Sequence, residues 1–221
     1  MSARALPHVS DIDLIYADAS LVVANKPSGQ LAVPGRGPDK QDCLSARVQA
    51  RYPDALIVHR LDMATSGLMV MARGVEMQRA LSKAFAARDV RKRYVAVVAG
   101  RLDAAAEGWG VIDLPIMADW PNRPMSKVDL ALGKPSLTRW RVLSHADEVS
   151  TTRVELEPVT GRSHQLRLHM REIGHPILGD ALYAPRAIQC QSHRLLLHAA
   201  RLEFAHPLTA VPLGFQSAPP F

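Results

Sequence analysis

Two short stretches combine residue types with spacings that could do chemistry. The first is a polar knot, residues 60–67, reading Arg60-Leu61-Asp62-Met63-Ala64-Thr65-Ser66-Gly67. It follows the apolar run Leu56-Ile57-Val58-His59 and precedes a second run over residues 68–72. This pattern predicts strand, loop, strand, and a carboxylate on a loop held between two buried strands is rigidly supported. Loops supported in that way often carry function. Capping of its own turn by Asp62 is the commoner use of such a residue and remains open. The second stretch is a helix predicted over residues 163–173, with Ser163 as N-cap and Gly174 at its stop. Leu166, Met170 and Ile173 form its apolar seam, and His164, Arg167 and Arg171 form a polar stripe beside it. An arginine on such a helix edge can grip a carboxylate with two hydrogen bonds and keep it ionised. A solvated face would give the same stripe.

The elements that must position these groups are mostly strands. Residues 21–24 read as a buried strand ending at the turn-forming cluster Asn25-Lys26-Pro27-Ser28-Gly29, followed by irregular loop. Residues 42–50 fit a short helix. Residues 76–88 carry Met77, Leu81, Ala84 and Phe85 at helical spacing. Residues 93–99 are the strongest strand signal, stopped by Gly100. Residues 103–135 read as turns, including the proline-bounded Asp119-Trp120-Pro121-Asn122-Arg123-Pro124. Residues 136–143 and 151–157 alternate as an antiparallel pair, and residues 195–197 and 202–204 suggest two closing strands. The expected class is α+β, on a mostly antiparallel mixed sheet with flanking helices.

Several chemistries have no support. There is no GxxxxGK[ST], GxGxxG, HExxH or GxSxG, and Gly133-Lys134 is followed by Pro135. His164 and His169, five apart on one helix, point to different faces, so no metal site is expected. Cys43 and Cys190 form neither a disulfide framework nor a CxxC pair.

With 221 residues and 22% charged side chains, the chain suits one well-cored domain rather than a disordered segment. No run approaches the ~20 apolar residues of a membrane helix, and the first residues lack a signal-peptide core. A soluble cytoplasmic protein without membrane contact is expected. Lysine and arginine number 27 against 21 acidic residues, a formal charge of +6. The excess gathers in residues 73–101, where Arg73, Arg79, Lys83, Arg88, Arg91, Lys92, Arg93 and Arg101 face only Glu76 and Asp89. Such a cluster is the electrostatic footprint of a nucleic-acid binder, although an arginine-rich composition and a solvated helix face would also produce it.

At these residues the sequence resembles a pseudouridine synthase of the RluA family, over nearly the whole chain. Tyr16-Ala17-Asp18 through Asn25-Lys26-Pro27-Ser28-Gly29 is similar to the opening motif, and His59-Arg60-Leu61-Asp62 with Thr65-Ser66-Gly67 to the catalytic one. Lys92-Arg93-Tyr94 resembles the strand motif of the active-site tyrosine. Gly161-Arg162-Ser163-His164-Gln165-Leu166-Arg167 and His175-Pro176-Ile177-Leu178-Gly179-Asp180 resemble the next two. Leu197-His198-Ala199, with His206-Pro207, resembles the closing motif.

The resemblance implies isomerisation of uridine in RNA to pseudouridine, without cofactor or metal. It implies Asp62 as the catalytic carboxylate, either attacking the sugar or stabilising and deprotonating it, with Arg167 pairing with it. It further implies Tyr94 against the detached base, Leu197 closing the pocket, and Arg60 entering the RNA where the target base has flipped out, where a planar guanidinium suits the gap. Arg93 and His164 are further expected RNA contacts, in a central RNA-binding cleft. The implied layout is an N-terminal extension, residues 1–15, before a single catalytic domain, residues 16–221, with no separate N-terminal RNA-binding domain. Met63-Ala64 and residues 119–124 resemble a dual-specificity subgroup acting on 23S rRNA and on the tRNA anticodon stem-loop. A monomer is expected. A sibling synthase with another single RNA target, and a catalytically silent RNA-binding protein on the same scaffold, are the competing expectations. A carboxylate-pair glycosidase needs a second facing carboxylate, which the motifs around Asp62 do not supply.

Overall fold

The two apolar runs that flank the polar knot become hydrogen-bonded strands in the computed structural model, which describes residues 12–221. The chain forms two compact units, one made of residues up to Val90 with Leu202–Ser217, the other of Arg91–Arg201 with Ala218–Phe221.

In the first unit, β1 (Asp13–Ala17) pairs antiparallel with β2 (Leu21–Lys26), and β2 with β4 (Ser66–Arg73). β3 (Ala55–Ile57) also pairs antiparallel with β4. Helices α1 (Leu44–Arg51) and α2 (Val75–Ala87) belong to this unit. β2 and β4 are apolar along nearly their whole length because both of their faces are covered. The core holds Leu21, Val23, Leu68, Val70, Leu81, Phe204 and Phe215, with Met77, Ala84 and Phe85 of α2 packed on it. The helical spacing thus marks the buried face of α2, and each fully buried Leu or Val contributes about 1.5–3 kcal/mol. The opening and closing motifs meet here. Asp18 accepts hydrogen bonds from Tyr16 Oη (2.7 Å) and His206 Nε2 (3.1 Å), and from the Ser20 and Leu21 amides. These residues tie two turns together.

In the second unit, β5 (Arg91–Ala99), β10 (Thr151–Pro158), β9 (Leu137–Ala146) and β6 (Gly110–Asp113) lie in that order, all antiparallel. A separate hairpin pairs β7 (Ile116–Ala118) with β8 (Ser126–Val128). Helix α3 (Gln165–Glu172) carries the polar stripe, and α4 (Arg186–Gln189) is a single turn. Leu168 of α3 packs with Ile116 of the hairpin and with Tyr183.

Four expectations are corrected. Residues 103–135 are not turns alone but contain β6, β7 and β8; strands of three or four residues are too short to leave a period. Residues 195–197 and 202–204 do not form two strands. One strand, β11 (Leu197–Ala205), runs through Ala199-Ala200-Arg201, where no Gly or Pro breaks it, and the second closing strand is β12 (Pro212–Gln216), paired with β11. Ser163 is not the N-cap of α3. His164 takes that place in the left-handed conformation (φ 57°), while the stop at Gly174 (φ 85°) stands as expected. The expected extension over residues 1–15 overlaps β1, which starts at Asp13; residues 1–11 lie outside the described residues.

Candidate active site

The loop bearing Asp62 is held at both ends and in its middle, all within the first unit. At its start, His59 Nε2 accepts the Val70 amide proton (3.0 Å), and its ring stacks on Phe85 with centroids 4.5 Å apart. Next comes the Asp62 carbonyl, which accepts from the Thr65 amide (3.1 Å), closing a turn immediately after Asp62. The loop is then clamped by the end of β2 and the segment after it. Lys26, with 0% of its surface exposed, donates from Nζ to the carbonyls of Met63 (3.0 Å), Gln30 (2.8 Å) and Pro27 (2.9 Å). The Gly29 amide donates to the same Met63 carbonyl (2.8 Å), and Ser28 Oγ to the Ala64 carbonyl (2.7 Å). A buried ammonium is costly unless its protons are used, and here three carbonyls take them. Leu61 and Thr65 are buried, Asp62 is half-buried, and Arg60 and Met63 are exposed.

The second unit assembles the helix stripe around one carboxylate and one phenol. Arg167 is 4% exposed, and both oxygens of Asp180 receive it, Nε at 2.8 Å and Nη2 at 2.6 Å. Asp180 Oδ1 also accepts from the amides of Leu182 and Tyr183 (2.9 and 3.1 Å). The turn before Asp180 depends on Gly179, at φ 74°, where a Cβ would lie 1.8 Å from the Arg194 carbonyl oxygen. Tyr183 collects the rest of the stripe. Its hydroxyl lies 2.8 Å from His164 Nδ1 and accepts from the Ser126 amide (2.7 Å), and the guanidinium carbons of Arg167 and Arg171 lie 5.2 and 5.6 Å from its ring centre. Burial pushes the Tyr183 phenol above its ordinary range, so it stays protonated.

The remaining candidates are also placed. Tyr94 lies on β5 opposite Leu156 of β10, and Leu197, 3% exposed, opens β11. Arg93 points to the other face of β5 from Tyr94, as strand alternation requires. There it pairs with Glu157 (3.2 Å) and Glu155 (3.9 Å) and stacks 4.5 Å from the centre of Trp109. Arg139 and Arg141 cover the same ring, each 4.9 Å from its centre, and pair with the same glutamates. Within the basic run, Arg73 and Arg101 likewise have carboxylate partners, Asp54 and Asp147. Arg79, Lys83 and Arg88 are exposed on or at the end of α2, and Arg91 is exposed at the start of β5.

Sequence reasoning missed what Lys26, Ser28, Asp180 and Tyr183 do. The one available signal was Lys26, a charged residue continuing a fully buried strand. Among the described residues no cluster of His, Cys, Asp and Glu could hold a metal, and no helix is long and apolar enough to cross a membrane.

Comparison with known proteins agrees with these motifs. The family model for RNA pseudouridylate synthase matches residues 20–172. The dual-specificity RNA pseudouridine synthase RluA of Yersinia pestis is 48% identical over 92% of this chain and 97% of its own length. Its namesake in Escherichia coli (strain K12) is 46% identical over 94% and 93%. Among solved structures, human RNA pseudouridylate synthase domain containing 1 superposes with a TM-score of 0.78 at 26% identity, covering 100% of this chain and 87% of its own. Human RNA pseudouridylate synthase domain containing 4 gives 0.70 at 27%, covering 94% and 88%. With the Asp62 loop, the Arg167 helix and the Tyr94 strand all falling inside the matched residues, the chain belongs to the RNA pseudouridylate synthase family.

Proposed function

We propose that this protein isomerises uridine in two RNAs, a stem-loop of 23S rRNA and the anticodon stem-loop of tRNA. The observation that carries this reading is the identity, 46–48% over more than nine-tenths of the chain, to proteins named for dual specificity. Asp62 is the catalytic carboxylate: the uracil detaches from C1′ at N1, turns, and rejoins through C5, whose hydrogen leaves as a proton. The clamp of Lys26, Ser28 and Gly29 on residues 63 and 64 supports that role, because a catalytic acid has to be held in one place. Arg167, held by Asp180, orients the acid, Tyr94 offers the detached base an aromatic face, and Leu197 closes the pocket. Arg60 and His164 meet the RNA. Arg93 contributes least of the three expected contacts, since it already pairs with Glu157 and Glu155. The enzyme works as a monomer in the cytoplasm, and residues 13–221, β1 included, act as one catalytic domain.

The test is tritium release from C5-labelled uridine in separate tRNA and 23S rRNA transcripts, with Asp62→Asn as control. Release from both, absent in the variant, is expected. Release from one alone would remove the dual specificity, and release from neither would favour a silent RNA-binding protein.

A further inference from the structure

Trp120 stands at the tip of the β7–β8 hairpin with 66% of its surface exposed. The guanidinium carbon of Arg123 lies 3.1 Å from its ring centre. Among the described residues no carboxylate is within ion-pair distance of Arg123, which is itself exposed. Trp109 makes the contrast plain. It is half-buried, and each of its three arginines has a glutamate partner, Glu155 or Glu157. The Trp120 pair presents an indole face and an unmatched positive charge to solvent. Exposing a tryptophan so far gains nothing for folding.

The tip is built to hold its shape. The Asp119 amide donates to the Met125 carbonyl (3.0 Å), the Asn122 amide to the Asp119 carbonyl (3.1 Å), and the Met125 amide to the Asn122 carbonyl (3.0 Å). Asn122 Nδ2 donates to Asp119 Oδ2 (2.9 Å). Where the loop rejoins β8, the hairpin is bonded to the candidate site, because the Ser126 amide donates to the Tyr183 hydroxyl that also meets His164.

We propose that Trp120 and Arg123 form a nucleotide platform for the substrate RNA, a base stacking on the indole while the guanidinium meets the phosphate charge. This rests on the RNA-modifying reading above and adds a contact remote from the reacting uridine. An aromatic ring backed by an arginine suits an unpaired base of any identity, since every base has a π-face. The partner is therefore a single-stranded loop nucleotide, since a paired base has no free face.

The test measures binding by fluorescence anisotropy of labelled RNA, using a short stem-loop and a fully paired duplex of equal length. Trp120→Ala is expected to weaken stem-loop binding about 10-fold and leave duplex binding unchanged. In the tritium assay KM should rise with kcat kept, and Trp120→Phe should restore most of the affinity. Arg123→Ala should weaken stem-loop binding and lower its salt dependence. Affinity for the stem-loop within twofold of wild type in Trp120→Ala, or an equal loss on the duplex, would overturn the platform. Failure of the wild type to release tritium from any RNA would instead reject the reaction, while the binding comparison would still decide the platform.

Discussion

The Lys26 ammonium and the Met63 carbonyl are hydrogen-bonded at 3.0 Å, thirty-seven residues apart in sequence and one residue past Asp62. This bond links the end of β2 to the loop carrying the proposed catalytic acid. Lys26 is therefore a positioning residue, acting through the backbone rather than on the RNA.

Replacing Lys26 by Met keeps the length of the side chain but leaves the Pro27 and Gln30 carbonyls without this donor, while the Met63 carbonyl keeps only the Gly29 amide. At about 1–3 kcal/mol for each buried group left unsatisfied, with partial relaxation, Lys26→Met is expected to lose about 2–4 kcal/mol, read from its urea midpoint. Turnover at a temperature where the variant is folded should fall more than RNA affinity does. Equal stability and turnover would show that the ammonium does not hold the loop.

Arg167 and Asp180 are both nearly fully buried, so breaking the pair leaves an uncompensated charge. Asp180→Asn should destabilise the fold by about 3–5 kcal/mol, and Arg167→Lys cannot rescue function, because an ammonium does not reproduce the two-pronged grip. Thermal unfolding of Asp180→Asn and tritium release by Arg167→Lys check the two statements. Wild-type stability in Asp180→Asn would remove the pair from the support of this site.

Arg60 is exposed on the Asp62 loop. If it meets the RNA, Arg60→Ala should weaken binding and reduce the slope of log affinity against log salt by about 1. An unchanged affinity and slope would take Arg60 out of the RNA site.

His169 is buried, with Nε2 bonded to the Leu114 carbonyl (3.0 Å) and Nδ1 to Thr138 Oγ1 (2.9 Å). Desolvation outweighs the help of that carbonyl and of Asp113 and Glu172, so its pKa is lowered from 6.5. The unfolded chain then takes up a proton before the folded one. Stability should be full above about pH 6.5 and decline as pH falls towards the lower folded pKa. Urea midpoints between pH 7.5 and 5.5 should show this decline, and His169→Gln should remove its share of it. A midpoint independent of pH in wild type and variant alike contradicts the assignment.

Much of this was legible beforehand for a physical reason. Both apolar faces of β2 and β4, the stripe of Met77, Leu81, Ala84 and Phe85, and the β9–β10 alternation are local patterns, set by the period of each element and by which side it buries. The knot around Asp62 could be placed because two such strands enclose it. Gly174 could be placed because a left-handed stop favours glycine. The short strands β6, β7 and β8 were invisible, since three or four residues carry too little period. Ser163 misled because Ser commonly caps helices, whereas the bond between His164 and Tyr183 belongs with His164 at the cap. Residue order and type determined the class of fold, the family and the residues on which the chemistry is proposed to rest. Only the tertiary structure decided which partner each of them has: Lys26 for the Asp62 loop, Asp180 for Arg167, Tyr183 for His164. Those pairings join residues 13 to 37 positions apart, and which side chains meet across such distances depends on how whole elements pack rather than on the pattern inside any one of them.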